Sequence, residues 1–321
     1  MASINTNIAA MTALRSLTST NSALTQTQNR ISTGLRVNTA SDNAAYWSIA
    51  TTMRSDSSSL STVQDALGLG AAFVDVAYTA LDEAKNIVTK IKDKLVAAAQ
   101  PGLDRGKIQT EITELQAQLQ GMSDAATLQG QNWLSVDSSA AGYNATKKVV
   151  SSISRAAGSI SVQSISINTG SMVLFDSNAA VGGVGILDAY RDGTTGVRHA
   201  TQPATPAATD FTIAGINIAA LTDSTADLDT LDGYIKGADR AISEMAAGAT
   251  ALGAAKARIE IQQSFVSSLK DAIEGGISQL VDADMNAEST RLQALQVKQQ
   301  LGIQALSIAN SSSQSILRLF Q

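Results

Sequence analysis

The stretch from residue 60 to residue 98, "LSTVQDALGLGAAFVDVAYTALDEAKNIVTKIKDKLVAA", decides the fold. Its small and apolar residues fall at alternating steps of three and four: Leu60, Val63, Leu67, Gly70, Val74, Ala77, Leu81, Ala84, Val88, Ile91, Leu95 and Ala98. A seam of that period predicts one long helix of the coiled-coil kind. Pro101-Gly102 stops it, since neither residue continues a helix.

Outward from this helix the pattern recurs. Ile108, Ile112, Leu115, Leu119, Met122 and Ala126 make a second seam, ended by "QGQNW" around Gly130. Leu231, Ile235, Ala238, Ile242, Met245, Ala249, Leu252, Ile259, Val266, Ile273, Ile277 and Leu280 predict another long helix. Val281, Met285, Leu292, Leu295, Leu306, Ala309, Ile316 and Phe320 carry the same step almost to the last residue. Glu288, Gln299, Gly302 and Ser313 interrupt that seam, so the terminal helix is expected to be weak alone. At the other end Ile4, Ile8, Met11, Leu14, Leu17, Leu24, Ile31 and Leu35 form a stripe among Asn, Thr and Ser. Those polar residues favour caps and turns over helix interiors. Helices of this kind draw stability from packing rather than propensity, and the matching stripes are expected to pair with each other.

Residues 141–222 differ. "KKVVSSISR", "SISVQSISI" and "DFTIAGINI" alternate apolar and polar residues and read as strands. Between the last two, a Gly-, Thr- and Ala-rich run with two of the three prolines reads as an exposed, loop-rich excursion. The expected fold class is mainly α: long helices from both chain ends form a bundle, with a small β-rich insertion.

Composition bounds the function. The 321 residues can bury a real core, and length alone suggests about two domains. Only 4% are aromatic and 16% charged, which suits closely packed thin helices more than a bulky enzyme core. A net charge of -5 argues against nucleic acid as partner. The absence of cysteine removes disulfides and thiol chemistry. The start, "MASINTNIAAMTALRSL", lacks the basic and apolar blocks of a cleaved signal, and no run is long enough for a membrane span.

Catalytic patterns are near misses. His199, the one histidine, lies in the Gly/Thr-rich loop and reads as a solvated residue. Ser267-Ser268-Leu269-Lys270 and Ser41-Asp42-Asn43 match two β-lactamase patterns, but in reverse order and without K-T-G. "GLDRGKI" has the wrong spacing for a P-loop, and "GGVG" at Gly182 precedes no helix. Asp282, Asp284 and Glu288 read as a solvated acidic face, not a metal site. No enzyme activity, cofactor or metal is expected.

Two stripes are joined by "RISTGLRVNTASDNAAYWSIA", Arg30 to Ala50, a polar segment that turns abruptly to Tyr46, Trp47 and Ile49. The aromatic pair reads equally as an anchor of this loop on its own bundle or as an anchor between subunits. At Arg30, Ser32, Gly34, Leu35, Arg36, Asn38, Ala40, Asp42, Ala44 and Ala45 this segment resembles the N-terminal signature of bacterial flagellins. "INTNIAA" at the start and "NSSSQSILRLFQ" at the end resemble the same family, and the Tyr46-Trp47 pair resembles its alphaproteobacterial, rhizobial members. The middle of the chain carries no resemblance.

The resemblance implies a subunit of the helical flagellar filament used for swimming, exported through the type III apparatus and working outside the cell. It implies a terminal core of residues 1–40 and 283–321, a helical shell of 41–140 and 223–282, and an outer insertion of 141–222. It implies copies of itself as partners, alone or mixed with sister flagellins, together with an export chaperone and the filament cap and junction proteins. Nucleic acid and membrane are not among the implied partners.

The expected filament interface is Ile4, Ile8, Leu17, Leu24, Ile31 and Leu35 in the first stripe and Leu292, Leu295, Leu306, Ile316, Leu317 and Phe320 in the last. Gly34, Arg36, Asn38, Asp42, Tyr46 and Trp47 complete it at the hinge. There Gly34 would allow a sharp turn and Asp42 would cap the next helix. The animal innate-receptor site of the family resembles the region of Lys90, Lys94 and Glu111, and the plant-recognised segment corresponds to Gln28 through about Ile49. A charged Lys94 should not fit an apolar receptor contact, so weak or absent activation is expected; Tyr46-Trp47 leads to the same expectation for plants. Three rivals remain: a hook–filament junction protein, a secreted enzyme on a helical scaffold, and a non-enzymatic type III helical effector or adhesin.

Overall fold

The computed structural model describes residues 7–156, 159–178, 184–199, 202–203 and 205–319. Five helices dominate: α1 (Ile8–Thr33), α2 (Ala44–Ala98), α3 (Arg105–Ala125), α4 (Thr225–Val281) and α5 (Met285–Leu319). Between α3 and α4 come β1 (Thr127–Leu128), β2 (Gln131–Asn132), β3 (Ser135–Val136), β4 (Thr146–Ala156), β5 (Ser159–Asn168) and β6 (Phe175–Asp176). The chain divides into two compact units, residues 1–59 with 269–321, and residues 60–268.

In the larger unit every residue of the Leu60–Ala98 seam is buried. The seam faces α4 in antiparallel register: Asp75 accepts from Lys256 at 2.6 Å and Asp239 from Lys92 at 3.0 Å. Small residues permit close approach there, for a Cβ on Gly248 would stand 3.0 Å from the side chains of both Leu81 and Met172. α2 ends where Arg105 folds back. Its Nε donates to the Ala98 carbonyl at 3.0 Å, while Nη2 reaches Asp223 at 2.7 Å. Asp104 then caps α3 through the N–H groups of Gly106 and Lys107.

β4 and β5 form an antiparallel ribbon from Thr146↔Asn168 to Ala156↔Ser159, with a register shift between Val150 and Ser152. These are the first two strands predicted from alternation. The third, "DFTIAGINI", is not a strand. Phe211 makes one isolated bridge to Arg191, and Ile213–Gly215 is a 3₁₀ turn. Its carbonyls are taken by side chains of α3: Gln116 donates to those of Ile213 and Ile216, both at 3.1 Å. Alternation alone could not distinguish a ladder from a segment whose partners are glutamines.

The Gly/Thr-rich run also departs from expectation. It is irregular, but its centre is not exposed: Ile186, Leu187, Ala189 and Arg191 are fully buried. Arg191 donates twice to Glu244 on α4, at 3.1 and 2.8 Å, and again to the Ile186 carbonyl at 2.9 Å. The described insertion is therefore part of the larger unit's core.

In the smaller unit α1 and α5 run antiparallel. Asn7 donates to the Ala309 carbonyl at 2.9 Å, Gln299 to Asn21 at 2.8 Å, and Arg30 to Glu288 at 2.9 Å. The predicted pairing of the terminal stripes is present. The continuous far-end seam is not one helix, because Asp282–Asp284 interrupts it. Asp284 accepts from the N–H groups of Asn286 and Ala287, restarting the chain as α5.

Candidate self-assembly surface

The hinge between α1 and α2 is built residue by residue. Arg30 supplies a cation for the last turn of α1, and its Nη1 pairs with Glu288. Glu288 is buried, so it belongs to the α1–α5 seam and not to a solvated face. Gly34 follows with φ +72°, a left-handed cap whose N–H returns to the Arg30 carbonyl at 2.8 Å. Beyond it the chain runs beside the end of α4. Arg36 N–H donates to Val281 at 2.7 Å, Ala283 N–H to Gly34 at 2.9 Å, and the Arg36 guanidinium to Leu280 at 3.0 Å. The orphan carbonyls at the end of α4 are thereby satisfied by the signature itself. Val37, Ala50, Ile277 and Val281 close a small apolar core beneath, joined by Leu35, Met53, Ile273 and Leu280.

Asp42 does not cap α2. Its carboxylate turns back to the N–H groups of Asn38 and Thr39, at 3.1 and 2.9 Å, and to the Thr39 hydroxyl. These bonds hold its pKa below the usual carboxylate value. The cap is Asn43, whose Oδ1 accepts the Tyr46 N–H at 3.1 Å. The sequence offered two adjacent capping residues, and the loop's need for an acceptor separates them.

Tyr46 and Trp47, in the first turn of α2, are 41% and 37% exposed, with Ile49 exposed beside them. Among the described residues neither ring stacks on another aromatic. The chain's other tryptophan, Trp133, is buried and lies flat on Phe73, centroids 5.4 Å apart.

The paired terminal helices leave much apolar surface uncovered. Ile8 and Ile308 are each 67% exposed, and Met11, Leu14, Val297, Leu301 and Ile303 are also open. Of the predicted interface residues, Leu17, Leu24, Ile31, Leu35, Leu292 and Leu306 are half-buried and Leu295 is buried. Arg36, Asn38 and Asp42 are exposed. Ile4 and Phe320 lie outside the described residues, as do the side chains of Ile316 and Leu317. The structure thus brings Arg30, Gly34, Leu35 and Arg36 together with residues 280–288, partners that no local pattern announced.

On the larger unit Lys94 pairs with Glu111 across α2 and α3, and Lys90 lies one turn away. With Glu114, Leu115 and Gln118 they line an open groove of about 590 Å³. Among the described residues no helix is long and apolar enough to cross a membrane.

Comparison with known proteins decides the identity of these ends. Residues 4–139 match the bacterial flagellin N-terminal helical region and residues 235–320 the bacterial flagellin C-terminal helical region. The whole chain aligns with the whole of flagellin C of Rhizobium meliloti (strain 1021) at 48% identity. It aligns likewise with flagellin A of Rhizobium meliloti at 43% and with a flagellin of Brucella melitensis at 43%, complete in each case. The chain belongs to the bacterial flagellins. It is a flagellin of the rhizobial type, a structural subunit of the extracellular filament that drives swimming. Flagellins polymerise into that filament with copies of themselves or with sister flagellins. The junction-protein and effector readings are not favoured by these matches. The stretch left between the two regions, residues 140–234, holds the whole described β insertion of this flagellin.

Proposed function

We propose that this flagellin polymerises through the open faces of α1 and α5 together with the Tyr46-Trp47 ridge. The observation that carries the reading is the exposure of apolar side chains on a helix pair that already has its own seam. Leu17 and Leu24 with Leu292 and Leu306 serve that seam, whereas Ile8, Met11, Leu14, Val297, Leu301 and Ile308 await neighbouring copies. Burying apolar area yields about 25 cal/mol per Å², so a handful of such side chains per contact stabilises a polymer appreciably. Contacts between unlike patches do not close on themselves and therefore build a helical filament.

In this reading residues 1–40 and 283–321 form the filament core, 41–140 and 223–282 a surrounding shell, and 141–222 the outer surface. The protein acts without catalysis. An export chaperone, the filament cap and the junction proteins meet the same terminal segments before or at the ends of assembly. Lys94, held by Glu111, places charge where an innate receptor of the animal type would need an apolar contact, so receptor activation is weak; a full reporter-cell response would refute that part.

The test is polymerisation of purified chain in high sulfate or on short filament seeds, read by negative-stain microscopy. Full-length protein should give long uniform tubes, and protein lacking residues 283–321 none. Tubes from the truncated chain would move the assembly surface elsewhere.

A further inference from the structure

Asp176 ends β6, and Asp188 stands in the stretch laid beside it. Ile186 N–H donates to the Val173 carbonyl at 2.8 Å and Leu187 N–H to the Leu174 carbonyl at 3.0 Å. The Asp176 N–H itself donates to Asp188 Oδ2 at 2.6 Å. On its other side Asp176 Oδ1 accepts the N–H groups of Ser138 at 2.8 Å and Asn178 at 3.2 Å.

Each carboxylate thus holds its loop with one oxygen and keeps the other free. Asp176 Oδ2 and Asp188 Oδ1 are sealed from solvent and accept no hydrogen bond. Asp176 is only 3% exposed. Among the described residues no Lys, Arg or His pairs with either carboxylate. Burial pushes the Asp188 carboxyl above its usual range, and the charge of Asp176 adds to that push. Two neighbouring buried carboxylates do not both stay charged without a positive partner, yet nothing in the chain supplies one.

A shared proton or a cation would satisfy the pair. A shared proton requires one carboxyl to donate to the other, and neither free oxygen takes part in a hydrogen bond. A cation joins oxygens that stand too far apart for one. The donor set contains only oxygen: two carboxylates, and main-chain carbonyls along both stretches. Such donors suit a hard cation with flexible geometry, as calcium has, and not zinc, which takes nitrogen and sulfur. Among the described residues no three acidic or histidine side chains gather around one point. The two charges of the pair already balance a dication, and carbonyls and waters complete such a shell.

We propose that Asp176 and Asp188 together bind one divalent cation of the calcium type, which fastens the 185–188 stretch to β6. The site is independent of the assembly surface, so its test uses unpolymerised full-length chain.

That chain is freed of divalent ions with a chelator and titrated with calcium chloride, then with magnesium chloride, by calorimetry. Thermal unfolding is followed in parallel. One calcium per chain, a melting temperature raised by several degrees, and loss of both in Asp188→Asn are expected; magnesium should bind more weakly. Amide shifts in NMR should centre on Ser138, Asp176 and Leu187, a localisation that stands even where the variant folds poorly. The proposal is overturned if the wild-type chain takes up no calcium at millimolar concentration. It is equally overturned if Asp188→Asn, shown folded by circular dichroism, binds as well as wild type. A cation-insensitive chain that Asp188→Asn stabilises would assign the pair to a shared proton instead.

Discussion

Arg30 and Glu288 lie 258 positions apart in sequence and 2.9 Å apart in space, joining the last turn of α1 to the first turns of α5. Glu288 had the appearance of a flaw in an apolar seam. The structure makes it the anion that the signature arginine requires. One of its oxygens, Oε2, is buried without a partner, so the pair is strained for acceptors even when formed. Removing one member of a buried pair strands the other and costs up to about 3–5 kcal/mol. Arg30 is 23% exposed at its side chain, which lets water relieve part of that, so Glu288→Ala should cost about 1–3 kcal/mol. Hydrogen exchange of α1 amides in the monomer should accelerate while those of α3 stay protected. Unchanged α1 protection would remove the pair from the account of terminal pairing.

Trp47→Ala and Tyr46→Ala separate the two readings of the aromatic pair. A ring that anchors its own bundle is buried, and its truncation costs about 3 kcal/mol or more. Rings this exposed should cost the monomer less than about 1 kcal/mol. Their effect belongs to assembly, where each removes a large apolar anchor. The expected outcome is a melting curve close to wild type and a critical concentration for polymerisation raised at least several-fold. A large monomer destabilisation with normal polymerisation would return the pair to a local role.

The long seams were legible because their period is set by the helix itself: each predicted residue from Leu60 to Ala98 is buried. Gly34 was legible too, since a glycine just past a helical stripe announces a left-handed cap. Asp42 and Asn43 were not separable, because both residue types accept from backbone N–H groups and only the fold assigns them. The Ile186–Arg191 segment was invisible for another reason. Its burial depends on Arg191 finding Glu244, 53 positions away, and a Gly- and Thr-rich composition hides that. The partners of Arg36 and Leu35 at residues 280–282 carry no sequence mark at all.

Gly70 sets two helix rules against each other. In an exposed helix Gly→Ala stabilises by about 1 kcal/mol. Here a Cβ would stand 2.3 Å from Cγ1 and 2.9 Å from Cγ2 of Val149 on β4, a buried, stiff β-branched side chain. Overpacking of that kind costs about 1–3 kcal/mol, so Gly70→Ala should be net destabilising by roughly 1 kcal/mol. Gly70→Ala with Val149→Ala should recover the clash term, leaving only the smaller cavity. A double-mutant cycle in urea, with a coupling energy near zero, would dissociate the glycine from the ribbon.

Asp42 makes the hinge acid-sensitive. Its pKa is lowered by the Thr39 backbone N–H first, then the Thr39 hydroxyl and the Asn38 N–H. A group whose folded pKa lies below the unfolded one contributes stability above the unfolded value. That contribution fades as pH falls from about 3.9 through the folded value. The carboxyl carbon of Asp42 should therefore titrate below an ordinary aspartate in NMR. Amides of Asn38 and Thr39 should lose protection over the same pH range. In Asp42→Asn those amides should be less protected already at neutral pH, because a neutral amide oxygen is the weaker acceptor. An ordinary Asp42 titration would show that the loop does not depend on the charge.

Arg191 is the largest fully buried side chain in the protein and ties the irregular segment to α4 by four hydrogen bonds, two of them to Glu244. Arg191→Met keeps the length and apolar stem but removes every donor. The carbonyls of Ile186 and Gly196 would then be buried without partners, and each orphan costs about 1–3 kcal/mol. Glu244 is 30% exposed at its side chain and can turn to water, so it adds little. The net cost should be about 3 kcal/mol, concentrated in the larger unit. Limited proteolysis should then open the chain between Ile186 and Phe211, while the Arg30–Glu288 seam in the smaller unit keeps its exchange protection. Glu244→Gln, which preserves an acceptor for Arg191, should cost less than half as much; an equal loss would mean that the charge, and not the hydrogen bonding, holds the insertion in place.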